Sequence, residues 1–199
     1  MDCMTFLERA AKAKVQPLYV LHGDEDFLKR LAQAALRTLV LGPEDDGFAL
    51  STFPGVPHRL ERVGEVGGVL YVNDSKATNV AAAAAAVRSF DGGVRVILGG
   101  SLKGADFAAL AEPVAERCAA CYLIGEAAAR LERDLEPARA AGVELRRCDA
   151  LPAALCAAAA DARPGDVVLL APACASFDAY RDYEERGEHF RSLVGTLHA

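Results

Sequence analysis

The sequence predicts an α/β fold: a Rossmann-like, mostly parallel sheet flanked by helices, with a short N-terminal strand–helix appendage. Three observations lead there. Short apolar runs alternate with longer helical segments, which is the pattern of right-handed βαβ units. Glycine and proline pairs punctuate the boundaries between them. Hydrophobic residues make up 52% of the 199 and charged residues 25%, a composition that supports one globular domain with an appendage and excludes intrinsic disorder as the dominant state.

The elements follow in order. Residues 4–13 read as a short helix, and 17–22 form an apolar run after Pro17, consistent with a buried strand. Gly23 to Asp26 turn the chain and place acids at the start of a helix that runs to about Leu41 and stops at Gly42-Pro43. Past Pro54-Gly55 the texture changes, and residues 60–66 and 69–72 flank Gly67-Gly68 as a hairpin. The polar loop 73–79 leads into an alanine-rich helix ending near Phe90. A strand at 94–98, the glycine-rich loop 99–104 and a helix over 106–118 come next. Strand 120–124, helix 126–140, strand 143–147 and helix 150–162 follow. Pro164-Gly165-Asp166 turn into strand 167–170, then a loop over 171–178 and a last helix over 179–197. The domain boundary falls between residues 54 and 55, and the first segment is too small to hold a core of its own, so deleting 1–53 is expected to leave the rest folded.

Composition also limits function. The 22 basic and 28 acidic residues leave a net charge of -6, which argues against a nucleic-acid scaffold held by bulk positive charge. No apolar stretch reaches membrane-spanning length, and the N-terminus lacks the basic and apolar regions of a signal peptide. The six cysteines, scattered among alanines, fit small buried residues in a reducing cytoplasm. Cys118 and Cys121 have CxxC spacing, but no second pair or nearby histidine completes a zinc set, so a structural role outweighs a metal or redox one.

In parallel sheets, ligands bind beyond the carboxyl ends of the strands. The loops 73–79, 99–104 and 171–178 all follow strands and are expected to converge on one edge. The first offers Asp74, Lys76, the hydroxyls of Ser75 and Thr78, and the amides of Asn73 and Asn79, just ahead of a helix N-terminus that attracts anions. An N-cap cluster is the bland alternative, but seven successive polar or small residues exceed what capping requires. The second loop is not a Walker A motif, since GxxxxGK[ST] is absent from the sequence. It presents Lys103 to a carboxylate or phosphate, or leaves it solvated in a turn. In the third, Ser176 with Asp178 is expected to cap the last helix and aim a hydroxyl at a ligand. Phe177 and Tyr183 could pack on that ligand or on the core. A GxSxG elbow is missing and the four histidines form no triad pattern, which excludes a serine hydrolase. The charged string from Arg181 to Arg191 reads as a solvated helix face.

Five motifs stand in order: Pro57-His58-Arg59-Leu60-Glu61; Asn73 through Asn79; Leu98-Gly99-Gly100 with Lys103-Gly104-Ala105-Asp106-Phe107; Pro172 through Asp178; and Tyr183-Glu184-Glu185-Arg186-Gly187 with Phe190. Together, over residues 53–197, they resemble the C-terminal domain of the D-glutamate-adding Mur ligases. The resemblance implies a peptidoglycan-precursor ligase that uses ATP and magnesium to activate the carboxylate of UDP-N-acetylmuramoyl-L-alanine for attack by D-glutamate. It implies a nucleotide-binding set of His58, Arg59, Asp74, Lys76 and Asn79, with Arg59 on phosphate and Asp74 on ribose. It implies a D-glutamate set of Thr78, Lys103, Ser176, Phe177 and Tyr183, the last standing where the family often has phenylalanine. No metal ligand is implied within this segment. The family's UDP-sugar and ATPase domains have no counterpart in the sequence, so the resemblance implies a chain that binds D-glutamate and the nucleotide edge but does not ligate alone. Residues 1–53 resemble the N-terminus of the DNA polymerase III delta subunit, which raises two alternatives: a non-catalytic fusion or interaction protein whose first segment docks on a replication partner, or a folded relic with no function of its own.

Overall fold

The computed structural model describes residues 56–197 apart from 103 and 105, and the helix, strand and helix expected over 4–41 lie outside the described residues. The chain divides between Pro54 and Gly55, and the described residues belong to the second unit, Gly55–Ala199.

Six strands form one sheet in the order β1-β2-β6-β3-β4-β5: β1 Glu61–Val66, β2 Val69–Asn73, β3 Val94–Gly99, β4 Cys118–Ile124, β5 Glu144–Arg147 and β6 Val167–Leu170. β1 runs antiparallel to β2, and every other pairing is parallel. The β1–β2 turn is Gly67-Gly68, both at positive φ (59° and 79°), as a tight primed hairpin turn requires. The helices are α1 Val80–Arg88, α2 Ala111–Arg117, α3 Ala128–Asp134, α4 Glu136–Ala140, α5 Leu151–Asp161 and α6 Tyr183–Thr196. None of them is long and apolar enough to cross a membrane.

Alternation along the central strands builds two cores. Val94, Val96 and Leu98 of β3 and Leu169 of β6 face α1 to α4, joining Val87, Leu110, Leu131 and Leu135. Ile97, Val168 and Leu170 face α5 and α6, joining Leu151, Leu155, Phe190 and Val194. Each fully buried side chain of this kind contributes about 1.5–3 kcal/mol. The buried alanines Ala83, Ala84 and Ala86 bring α1 close to the sheet.

Three helices differ from the sequence reading. The helix expected from 106 begins as a 3-10 turn, Ala108–Leu110, because the Asp106 side chain accepts the Ala108 N–H at 3.0 Å and holds the chain in a turn. The helix expected over 126–140 is broken at Leu135, where Pro137 cannot donate a hydrogen bond back along the helix. The last helix starts at Tyr183, and its N-cap is Asp182, whose carboxylate accepts the Glu185 N–H at 2.8 Å. Ser176 and Asp178 therefore do not cap it. The Ser176 carbonyl instead takes the N–H groups of Ala179 and Tyr180 in a separate turn.

Candidate functional site

The parallel strands point their carboxyl ends the same way, and the loops that leave them meet there. Asp74 N–H donates to the Leu170 carbonyl (2.8 Å), and Ala173 N–H to that of Ala77 (2.9 Å). Gly99 N–H donates to Pro172 (2.8 Å), and Ser101 pairs with Ala175 through a single bridge. The loops 73–79, 99–104 and 171–178 are thus joined, as expected.

A cleft of about 160 Å³ opens beside the first loop. Arg59, Leu60, Asp74 and Lys76 line it together with Ala82, Ala85 and Ala86 of α1 and Ser89 at that helix's C-terminal cap. Short side chains at these helical positions leave the space open. His58 (φ 61°) and Leu60 (φ 41°) sit in the left-handed region, a conformation that costs energy in a non-glycine residue. That backbone lets His58 C=O accept from Lys76 N–H (3.0 Å) and Leu60 N–H reach the Asp74 carboxylate. Burial raises the Asp74 pKa, while the Leu60 hydrogen bond and the Arg59 charge oppose the rise. Lys76 is exposed, with Nζ 5.3 Å from the centroid of the Tyr183 ring. Asn79 caps α1, its Oδ1 accepting the Ala82 N–H at 2.9 Å.

The structure gathers Arg59, Asp74 and Lys76 into this cleft, with Asn79 at the adjoining helix end. His58 is turned elsewhere. Its side chain is 7% exposed and held from several sides. Asn73 Oδ1 is committed to the Ser75 N–H (3.1 Å), so Asn73 Nδ2 donates to His58 Nδ1 (2.9 Å) and to Glu61 (3.1 Å). His58 Nε2 then carries the proton and faces Glu188 Oε1 at 3.6 Å. The imidazole meets Tyr183 edge-on, with ring centroids 6.1 Å apart.

Of the amino-acid set, Thr78 is half-buried at the end of the first loop and Ser176 is buried in the third. Phe177, next in sequence, is 62% exposed. Tyr183 opens α6 beneath Lys76. Lys103 lies outside the described residues. Among the described residues, no group of three or more His, Cys, Asp or Glu side chains could hold a metal ion. Cys118 and Cys121 are buried free thiols at the sheet.

One central residue escaped the sequence reading. Arg186, placed there on a solvated face, is 1% exposed. Its Nε donates to Ser75 Oγ (2.9 Å), and its Nη2 donates to the carbonyls of Ser75 (3.0 Å) and Cys174 (3.1 Å). The signal was present in the spacing: Tyr183, Arg186, Gly187, Phe190 and Val194 recur at helical intervals along one side of α6. Arg186 also lines a second cavity of about 60 Å³ with Gly99, Gly100, Gly125, Asp178 and Tyr180.

The chain is similar to several known proteins. The family described as "Mur ligase, glutamate ligase domain" matches residues 58–174. A UDP-N-acetylmuramoylalanine--D-glutamate ligase of Marinobacter nauticus is 52% identical over 148 residues, 73% of this chain and 32% of that protein. The ligase of the same name from Koribacter versatilis is 47% identical over 196 residues, 97% of this chain and 42% of that protein. The chain thus spans about a third to two fifths of the length of these relatives. Among solved structures, E. coli FolC in complex with ADP superposes with a TM-score of 0.54 at 19% identity, covering 93% of this chain and 43% of that one, a likeness of fold. The delta-subunit likeness of residues 1–53 is not shown by these matches, and those residues lie outside the described ones.

Proposed function

The chain belongs to the Mur ligase family through its glutamate ligase domain, and from that membership we propose that residues 55–199 are the amino-acid-binding part of a ligase joining D-glutamate to UDP-N-acetylmuramoyl-L-alanine. ATP supplies the activation in this reading, by converting the alanyl carboxylate to an acyl phosphate that the D-glutamate amine attacks with loss of phosphate. The observation that carries the reading is the cleft in which Arg59, Asp74 and Lys76 stand together over the alanine wall of α1. Its chemistry fits one edge of a nucleotide: a carboxylate for ribose hydroxyls and two cations for phosphate. Its volume is below that of a pocket enclosing a drug-sized ligand, so it takes an edge and not the whole molecule.

In the same reading, Thr78, Lys103, Ser176 and Phe177 would receive D-glutamate, whose two carboxylates call for a lysine, hydroxyls and free N–H groups. Tyr183 packs under Lys76 and limits where that ammonium can go. Magnesium does not fit the described residues, which gather no metal-ligating cluster, and the sequence contains no GxxxxGK[ST] phosphate loop. The chain by itself is therefore proposed to bind and position without completing the ligation.

The test is a pair of measurements on the 199-residue chain. Titrating D-glutamate into isotopically labelled protein should shift the Ser176 and Phe177 amides, with L-glutamate weaker and Lys103→Ala abolishing the effect. ATP should shift Asp74 and Lys76. Phosphate release from Mg-ATP, D-glutamate and UDP-N-acetylmuramoyl-L-alanine should stay at background. Silence toward both ligands would overturn the binding reading, and release by the chain alone would overturn the partial-site reading.

A further inference from the structure

We propose that Arg186 is a positioning residue that sets the 73–79 loop against the 171–178 loop, and so fixes how the nucleotide edge of the site stands relative to its amino-acid side. The ligand assignments rest on the proposed function; the positioning rests on geometry alone.

The guanidinium is the hub of a small buried circuit. Nε and Nη2 reach both oxygens of Ser75, the side-chain hydroxyl at 2.9 Å and the carbonyl at 3.0 Å. Nη2 also reaches the Cys174 carbonyl at 3.1 Å. Ser75 Oγ donates its own proton to the Tyr183 carbonyl at 2.7 Å, closing the circuit on the first residue of α6. The chain neighbours of Ser75 are Asp74 and Lys76 of the cleft, and Ser176 lies two residues beyond Cys174. One rigid side chain therefore spans the two loops that carry most of the candidate site. It stands close to the third as well: both Arg186 and Gly100 line the 60 Å³ cavity, and a Cβ placed on Gly100 would come within 3.2 Å of Arg186 Nη1.

The energetics argue that this placement has a purpose beyond filling space. An arginine buried to 1% exposure loses its hydration, and none of its three acceptors is a carboxylate. Nη1 has no hydrogen-bond partner among the described residues, and Arg186 lines the 60 Å³ cavity. A methionine or leucine would pack beside Phe190 and Val194 at lower cost. What an apolar residue cannot do is hold two loop backbones at fixed separation. The planar fork of arginine does this, and the single ammonium of lysine does not.

The experiment compares labelled wild-type chain with Arg186→Ala and Arg186→Lys. In Arg186→Ala the amides of Ser75, Lys76, Ser176 and Phe177 should shift or broaden together, while those of β3, β4 and β5 stay in place. Adding low-millimolar guanidinium should return the loop resonances toward their wild-type positions in Arg186→Ala but not in Arg186→Lys. A residue that merely stabilises the fold would not be rescued by a denaturant cation. Should Arg186→Ala fail to fold, Ser75→Ala serves instead: it removes the Nε acceptor in one loop and should move the Ser176 and Phe177 amides in the other. Unmoved loop resonances, or shifts that guanidinium does not reverse, would overturn the proposal. Absence of any D-glutamate response in the wild type would overturn the functional reading alone, because the coupling of the loops is read without ligand.

Discussion

Two buried arginines stand at opposite ends of the sheet. Arg95, at the start of β3, is 9% exposed and Arg186, at the carboxyl edge, is 1% exposed. Arg95 is matched by a carboxylate: Nε donates to Asp166 at 2.9 Å, and Tyr122, itself bonded to Asp161 at 2.9 Å, stands beside it. Burial works to lower the Arg95 pKa, but the bonds to Tyr122 and Asp166 outweigh it and the net shift is upward. Arg186 is held by a hydroxyl and two carbonyls, and burial brings its pKa down to about 10, still well above neutral pH. The first arginine is a neutralised fastener joining β3 to the turn before β6. The second is a charge kept without a carboxylate acceptor, in the place where three loops meet. An ion pair holds strands, whereas an arginine bonded to carbonyls holds the backbone that carries a site.

The two ends should separate most sharply by glycine substitution. A Cβ on Gly99, at the carboxyl end of β3, would strike the Ile124 carbonyl oxygen, and its φ is +126°. Gly142, before β5, has a φ of +102° but open space around it. Gly99→Ala should cost more than about 3 kcal/mol, combining overpacking with backbone strain. Gly142→Ala should cost only about 1–2 kcal/mol of strain. Denaturant unfolding of the two variants measures the difference, and equal losses would erase the contrast.

Next in size is Arg95→Met, which leaves Asp166 without its cation. The loss should be about 2–3 kcal/mol, reduced because Asp166 keeps the Arg163 N–H (3.0 Å) and some water. The amides of the 73–79 and 171–178 loops should not move. If they do, the two ends are coupled and the division of labour fails.

A smaller stability effect with a larger binding effect is expected at Asp74. Its folded pKa is raised above the unfolded value, so protonated Asp74 contributes stability that is full below the unfolded pKa and lost as pH rises through the folded one. Asp74→Asn keeps a hydrogen-bonding side chain without the buried charge. Stability at neutral pH should hold or rise by a few tenths of a kcal/mol, while ATP affinity falls about tenfold. Parallel unfolding and titration curves check both halves, and a loss of stability would mean that the carboxylate braces the wall.

Legibility in the sequence follows the same division. Alternating apolar runs and turn residues revealed the strands, and strand-then-polar-loop order revealed the edge where the three loops meet. Sheet order was not legible: Val167 to Leu170 read as a buried strand whichever neighbours it has, and only the fold inserts it between β2 and β3. Helix breaks at Leu135 and before Ala111 turned on single side-chain effects, a proline without an N–H and an aspartate turn. Within the site, Asp74 and Lys76 announced themselves as charged residues in a polar loop after a strand, whereas Arg59 came only through the family motif Pro57 to Glu61. Arg186 did not announce itself, because its neighbours Glu184, Glu185 and Glu188 make it look like part of an ordinary charged face. Its burial came from sharing a helical side with Phe190 and Val194.

The finest contrast between the ends is the accessibility of one thiol. Burial pushes Cys174 up to about 12, against the pull of the Arg186 charge and with a further push from Asp178. With the folded value above the unfolded one, the buried protonated thiol contributes stability that is complete below about pH 9 and lost as pH climbs through 12. At pH 9 the Cys174 thiolate is therefore suppressed, while Cys156 on α5 is exposed. Iodoacetamide should label Cys156 about a hundredfold faster, as mass spectrometry of the two peptides would record. Arg186→Ala frees the Cys174 carbonyl and should raise Cys174 labelling about tenfold through local opening of its loop. Arg95→Met, although it costs stability, should leave Cys174 as slow as before. Equal acceleration by both variants would mean that Cys174 reports global unfolding, and that Arg186 stabilises the domain as a whole in the same way that Arg95 does.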